Sequence, residues 1–224
     1  MISSKRWYFA LLGTIVYFTL NAQEVVHKGP ATDLSKGSLQ VSENGRFLQY
    51  ENGDPFFYLG ETAWELFHRL SYDEADMFLE NRREKGFTVI QAVILAEENG
   101  LINPSVNGEV PLVDMDLNRP NEKYFLFVDS IVELAASKGL YMGLLPTWGD
   151  KVDKQWGQGP VLFNPQNAFT YGQFLGRRYK DNPNIIWING GDRQCRGNEE
   201  VWNSLAQGIR SADANHLMTF HPMG

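Results

Sequence analysis

The stretch VDSIVELAASKGLYMGLLPTWGD, residues 128–150, passes from a predicted helix through a predicted strand into a loop. The helix opens at Pro120, because proline is favoured in a first helical turn, and it ends at Lys138-Gly139. Its apolar residues recur at helical spacing and predict one buried face, formed by Phe125, Val128, Ile131, Val132 and Ala135. The apolar run 140–145 predicts a strand buried on both faces. Such a unit indicates a parallel sheet covered by helices.

The same alternation continues on both sides of this unit. Upstream, Ser71 and Glu74 have the spacing of a capping box, which opens a helix that ends near Lys85-Gly86. Downstream, Asn164-Pro165 opens a helix that extends to about residue 180. The predicted strands are residues 56–59, 87–95, 140–145, 185–188 and 217–220, and the last predicted helix covers residues 199–210.

A small antiparallel unit precedes these elements. The stretch SLQVSENGRFLQYENGDPFFYLG, residues 38–60, contains short alternating strands, separated by the turn signals ENG at 43–45 and ENGDP at 51–55. This segment predicts a β-hairpin cap that leads into the first strand of the parallel sheet.

Strands that alternate with helices allow two architectures. The sequence LGETAW at residues 59–64 lacks the glycine-rich turn of nucleotide-binding doubly wound sheets, which favours a (β/α)8 barrel of the TIM type. A complete barrel usually takes about 250 residues, and this chain of 224 residues supplies four βα units and a fifth strand. We therefore expect the N-terminal portion of a truncated α/β barrel. A complete five-stranded open sheet is the alternative.

The first residues have the pattern of a secretory signal peptide. Lys5 and Arg6 precede the apolar run 7–20, and the small residue Ala22 follows it. The run is short for a membrane span, so we expect cleavage after residue 22 and no integral span in the mature protein. An uncleaved N-terminal anchor is the alternative. Residues 23–37 predict a linker and residues 38–224 the barrel portion. The predicted localisation is the periplasm or the extracellular space of a bacterium.

Composition restricts the classes of partner and cofactor. The chain has 20 basic and 27 acidic residues, a formal net charge of −7, which argues against nucleic-acid binding. A single cysteine, Cys195, excludes an internal disulfide and a cysteine-rich metal site. The four histidines show no H-x-H or HExxH spacing, so no metal or other cofactor is expected. The oligomeric state is not predicted by the sequence.

The segments that follow the predicted strands are rich in tryptophan and charged side chains. In a barrel these segments form the functional face. A flat ring covers the apolar face of a sugar while carboxylates and amides bind its hydroxyls, so the combination favours a saccharide ligand. For Trp64 and Trp148, packing in the core is the alternative to sugar binding. For Trp187, which lies inside a predicted strand, packing in the core is the expectation. The expected substrate contacts are Glu61, Trp64, Trp148, Asn189, Arg193 and His221.

The sequence IIWINGGDR, residues 185–193, supplies the candidate catalytic group. Two glycines permit a sharp turn after the strand, and they leave Asp192 at the predicted mouth of the barrel. Cleavage of a glycosidic bond typically needs two carboxyl groups, one of which protonates the leaving oxygen. Asp192 is the candidate for that role. A helix cap or a surface ion pair with Arg193 is the alternative.

Several longer motifs resemble the apiosidase-like family of glycoside hydrolases (domain of unknown function 4038, glycoside hydrolase family 140). The similar stretches are FFYLGETAWELF, REKGFTVIQ, NGEVPLVDMD, RPNEKYF, VDSIVELAASKGLYMGLLPTWGD, GQFLGRRYKDNPNIIWINGGDR and TFHPMG. They occur in order from about residue 39 onward. The resemblance implies a (β/α)8 barrel that is secreted and acts on plant cell-wall glycans, including release of apiose from pectin side chains.

The resemblance also implies catalytic roles. The aspartate that closes the motif similar to WINGGD is the general acid/base, and this motif ends at Asp192. The partner glutamate lies late in the barrel, beyond Gly224. Glu61, Glu97 and Asp150 are stand-ins for it, and none occupies the matching position. An exported glycoside hydrolase for pectic glycans is therefore the leading hypothesis, with a non-catalytic glycan-binding barrel or an inactive hydrolase fragment as the alternative.

Overall fold

The computed structural model describes residues 28–223. The predicted leader and the first residues of the predicted linker lie outside this range. Within it, three short antiparallel strands precede a parallel sheet: β1 (Leu39–Val41), β2 (Leu48–Tyr50) and β3 (Pro55–Phe56). The parallel strands are β4 (Gly60–Thr62), β5 (Val89–Leu95), β6 (Tyr141–Thr147), β7 (Ile185–Gly190) and β8 (Leu217–His221). The helices are α1 (Leu66–Arg69), α2 (Tyr72–Glu84), α3 (Glu122–Ser137), α4 (Pro165–Tyr179) and α5 (Glu199–Ala212).

The order of the parallel strands distinguishes the two architectures. The sheet has the order β4-β5-β6-β7-β8, so each strand pairs with the next one along the chain. A doubly wound sheet would reverse its order at a switch point, whereas a barrel keeps chain order around its wall. The expectation of a barrel-type α/β fold is confirmed in this portion, together with the antiparallel cap.

Local sequence signals fix the ends of the helices. The Ser71 hydroxyl accepts a bond from the Glu74 backbone N–H, and the Glu74 carboxylate accepts one from the Ser71 N–H, which completes the predicted capping box of α2. Asn164 and Asn167 form the same reciprocal pair at α4. Helix α3 begins at Glu122, slightly later than predicted, because the Asn121 side chain accepts the Lys123 N–H and serves as its cap.

The two faces of the parallel sheet bury different sets of side chains. One face packs with the cap through Val89, Val93, Tyr141, Leu145, Ile186 and Ile188. The other face packs against the helices through Ile90, Ala92, Ile94, Met142, Leu144 and Trp187. Successive side chains along a strand point to opposite faces of the sheet. Whether a residue stands at an odd or an even position in its strand therefore decides which of these two faces it lies on.

Two predicted segments differ in more than their end residues. Residues 56–59 do not form the first parallel strand, because Phe56 pairs with Leu48 of the cap and the parallel pairing begins at Gly60. The described part of the predicted linker is also packed. Leu34 and Thr32 are buried, and the Thr32 hydroxyl donates to the Gly139 carbonyl. Within residues 28–223, no helix has the length and apolar character that crossing a membrane requires.

Candidate active site at the carboxyl ends of the strands

A two-glycine turn carries the chain from β7 to Asp192. Gly190 and Gly191 have φ values of 101° and 100°, a left-handed conformation that favours glycine. A Cβ on Gly190 would lie 2.2 Å from the His221 carbonyl oxygen, and one on Gly191 would lie 2.8 Å from the Gly149 nitrogen. The turn is tied to both neighbouring strands, because the Gly191 N–H donates to the His221 carbonyl and the Gly149 N–H donates to the Gly191 carbonyl. Glycine is therefore required at both positions.

Asp192 follows this turn with its carboxylate open to solvent. Its φ is 54°, an uncommon value for a residue with a side chain. The side chain is 46% exposed, and its Oδ1 lies 3.4 Å from Nδ1 of His221. The Asp192 backbone nitrogen lies 3.5 Å from the same ring nitrogen. His221 thus contacts both the backbone and the side chain of Asp192, while one side of the carboxylate stays accessible.

Aromatic rings surround His221. The Trp64 ring centroid lies 5.4 Å from that of His221 at an angle of 89°, and 5.2 Å from that of Trp148. Trp148 is only 4% exposed, whereas Trp64 is half-buried. The structure therefore brings together four of the predicted residues, Asp192, His221, Trp64 and Trp148, with Trp148 beneath the others and Trp64 partly open.

Two glutamates lie beside this cluster. Burial raises the pKa of Glu97, and the negative charges of Glu98, Asp150 and Asp192 raise it further, which places Glu97 within electrostatic range of Asp192. Burial also raises the pKa of Glu65 to about 7, partly opposed by Arg69. Both carboxyl oxygens of Glu65 are buried, and neither has a hydrogen-bond partner among residues 28–223. Burial thus makes both carboxyl groups harder to ionise than an exposed glutamate.

A groove of about 450 Å³ runs along Trp64, Glu65 and Glu97. The rest of its lining is largely apolar and comes from the α1–α2 region, Ala63, Leu66, Leu70 and Phe78 among others. Glu65 was not predicted as a site residue. The one signal in the sequence is its place directly after Trp64, just beyond the end of β4.

Two predicted contacts face away from the mouth. Glu61 is paired in register with Ile90, on the helix-facing side of the sheet, and its Oε2 lies 2.6 Å from Nε of Arg82 in α2. Asn189 pairs with Phe220 on the same side and is 4% exposed. Because side chains alternate along a strand, the positions of Glu61 and Asn189 direct both side chains toward the helices. Neither side chain joins the cluster around Asp192.

Arg193 is buried rather than open to a ligand. Its exposed fraction is 1%, and its guanidinium donates to the carbonyl oxygens of Asp153, Lys154 and Asp192. Arg193 contacts the backbone carbonyl of Asp192 and not its carboxylate. The side chains of Asp192 and Arg193 therefore do not form a surface ion pair, which was the alternative from the sequence. Arg193 instead joins the β6–α4 loop to the turn that carries Asp192. The cap of α5 is Asn198, so Asp192 does not cap that helix either.

Asp150, in the β6–α4 loop, is also fully buried. Asp150 accepts bonds from Nζ of Lys151 at 2.7 Å and from the Gly159 N–H at 2.8 Å, and both charged side chains have no exposed surface. Of the three stand-ins for a second carboxylate, Glu61, Asp150 and Glu97, only Glu97 lines the groove beside the cluster. Trp187 is in the core as predicted, with Nε1 donating to Asp213.

An exposed acid among aromatic rings at the carboxyl ends of parallel strands is the arrangement expected of glycoside hydrolases with a barrel fold. The comparisons agree. Residues 42–224 match the family model described as "Apiosidase-like, catalytic domain". The chain belongs to this apiosidase-like family. None of the curated proteins compared with the chain is similar to it.

Solved structures of glycoside hydrolases are similar to the chain. One, titled "Glycoside hydrolase", is 42% identical with a TM-score of 0.76, and the match covers 85% of this chain and 42% of that one. A glycoside hydrolase family 5 protein from Bacteroides vulgatus ATCC 8482 is also 42% identical, with a TM-score of 0.76 and coverage of 85% and 40%. The chain therefore spans less than half the length of these two proteins.

A more distant structure supports the fold alone. The catalytic domain of Thermobifida fusca endoglucanase Cel5A is 14% identical, with a TM-score of 0.52 and coverage of 82% of this chain and 53% of that one.

Proposed function

We propose that this chain carries the general acid of an exported glycoside hydrolase that cleaves O-glycosidic bonds in pectic glycans of plant cell walls. One observation carries the proposal. The Asp192 carboxylate is solvent-accessible at the carboxyl end of β7, and it contacts His221 within a group of tryptophan rings. A carboxyl group of this kind has no evident role in packing, and an acid beside aromatic rings matches the needs of glycosidic cleavage.

The proposed chemistry begins with proton transfer from Asp192. The proton moves to the glycosidic oxygen as the bond to the anomeric carbon breaks, and the bonding electron pair stays with the leaving oxygen. A second carboxylate then acts as nucleophile or activates water. The resemblance gives that role to a glutamate beyond residue 224. Within residues 28–223, Glu97 is the stand-in that lines the groove beside Asp192.

The pectic substrate and export of the protein are inferred from different features of the chain. The pectic substrate follows from the resemblance to apiosidase-like enzymes, and export follows from the signal-peptide pattern of residues 1–22. Mass spectrometry of the exported protein tests the second argument, because cleavage predicts a mature chain that begins near Gln23. An intact leader on the exported protein would contradict it.

Product analysis tests the activity. The full-length enzyme, which carries the second carboxylate, is incubated with rhamnogalacturonan II oligosaccharides, and released monosaccharides are separated by anion-exchange chromatography. We expect release by the wild type and little release by Asp192→Asn. Binding of the oligosaccharides without release by the wild type would instead support the glycan-binding alternative.

A further inference from the structure

Trp156 is an exposed tryptophan on the loop between β6 and α4. Its exposed fraction is 63%, whereas the other tryptophans within residues 28–223 are buried or half-buried. Tryptophan is enriched at binding interfaces, because its large ring supplies contact area while its N–H can reach a polar partner. Lys154 and Gln158, which are also exposed, flank it in the sequence.

The ring is nevertheless held in place from beneath. The guanidinium carbon of Arg193 lies 4.2 Å from the Trp156 ring centroid, in the geometry of a cation–π contact. Arg193 is itself fixed, because it is buried and donates to three backbone carbonyls. One face of Trp156 therefore rests on a rigid cation, and much of the remaining ring surface is open to solvent.

The same arginine connects Trp156 to the acid. The Arg193 guanidinium contacts the Trp156 ring and also donates through Nη1 to the Asp192 carbonyl at 2.9 Å. A single buried group thus separates the exposed ring from the backbone of Asp192. The shared contact with Arg193 therefore keeps the exposed ring close to the backbone of Asp192.

We propose that Trp156 is a stacking platform for a glycosyl unit next to the one whose bond Asp192 cleaves. This inference rests on the proposed function. The apolar C–H face of a sugar ring would pack on the open face of the indole, and its hydroxyls would reach the polar side chains around it. The platform therefore selects oligosaccharides over single sugars, because only a longer ligand reaches both Asp192 and Trp156.

Calorimetric titration of the Asp192→Asn protein tests the platform without consuming the ligand. The probes are rhamnogalacturonan II oligosaccharides and the monosaccharide apiose. Trp156→Ala should weaken oligosaccharide binding about tenfold, in line with the loss of a buried aromatic anchor, and should leave the affinity for apiose unchanged. Trp156→Phe should recover most of the affinity because it keeps an aromatic face.

Two further variants distinguish stacking of a sugar on the Trp156 ring from an indirect effect of Trp156 through its packing on Arg193. Trp156→Leu still covers the guanidinium but has no aromatic face, so it should lose affinity as Trp156→Ala does. Phe57→Ala removes another exposed aromatic side chain, at the opposite ends of the strands, and should change nothing. Unchanged oligosaccharide affinity in Trp156→Leu, or equal losses for apiose and oligosaccharide, would overturn the platform while the proposed function stands. Absence of both binding and sugar release by the wild type would instead refute the proposed function.

Discussion

Nδ1 of His221 lies 3.4 Å from Oδ1 of Asp192, and this contact joins the ends of β7 and β8. The same nitrogen faces the Asp192 backbone N–H at 3.5 Å. In the proposed function, His221 holds the Asp192 carboxyl in one orientation relative to the bound sugar. Its ring is in turn packed edge-on against Trp64.

Replacement of His221 tests this positioning. His221→Ala should lower kcat about tenfold with a smaller effect on KM, because misorientation of a catalytic group affects the reacting geometry more than binding. His221→Asn should recover part of the rate, since its amide nitrogen can occupy the place of Nδ1. Steady-state kinetics with one pectic oligosaccharide gives both constants. A rise in KM alone would show that His221 contacts the substrate instead, as the sequence predicts.

Arg193 should matter first for stability. Arg193→Met leaves three carbonyl oxygens without their charged donor and should lower the free energy of unfolding by about 3 kcal/mol. Arg193→Lys should recover only part of this, because an ammonium group cannot reproduce the guanidinium fork. Urea denaturation measures the difference, with the exposed Arg177→Met as the matched control. Full stability in Arg193→Met would contradict the role described for the loop.

Glu61 and Glu97 should respond differently to the same substitution. Glu61→Gln affects a carboxylate paired with Arg82 on the helix-facing side, so turnover should change less than twofold and stability by about 0.5 kcal/mol. Glu97→Gln affects a group beside Asp192 and should lower kcat/KM at least tenfold. Equal effects of the two substitutions on kcat/KM would contradict the conclusion that Glu97 belongs to the site and that Glu61, on the helix-facing side of the sheet, does not.

Asp213 should make the fold sensitive to acid. Burial alone raises the pKa of its carboxyl, but the hydrogen bonds from His216 and Trp187 outweigh burial and lower the pKa from 3.8 to about 2. A lowered pKa in the folded state stabilises the protein above pH 3.8, and this stabilisation is lost as the pH falls toward 2. The shift corresponds to about 2 kcal/mol.

Urea denaturation of the wild type and Asp213→Asn at pH 5 and pH 2.5 checks this dependence. The difference in unfolding free energy between the two proteins should shrink at the lower pH. Glu80→Gln should show a weaker dependence of the same sign, because Arg83 and Lys138 also lower the pKa of Glu80 to about 2, but at the surface, where water screens the charges. A difference for Asp213→Asn that is constant with pH would contradict the assigned cause.

The sequence predicts the elements of this fold more reliably than the faces of its strands. Helical spacing and capping residues predict α2, α3 and α4 closely, because these signals are local. The position of Glu61 or Asn189 at a strand end is also local information. Whether each side chain faces the mouth or the helices depends on register, and a shift of one residue reverses the face.

Burial of Arg193 also escapes sequence reasoning, because it depends on contacts with a loop about 40 residues earlier. Trp64, Trp148, Asp192 and His221 are more predictable, since each lies at or just beyond the carboxyl end of a strand and parallel strands bring those ends together. Glu65 acquires its raised pKa from burial, which no pattern in the sequence reveals.

The most direct test of the central claim compares Asp192→Asn with the wild type on two glycosides of the same sugar. One carries an unactivated sugar leaving group, and the other carries a nitrophenol, which needs little protonation. General acid catalysis contributes about 10²–10⁴-fold, so kcat/KM should fall by about that factor on the first substrate. On the second substrate, kcat/KM for release of the phenol should fall much less. Equal losses on both substrates, or none on either, would contradict the assignment of Asp192 as the general acid.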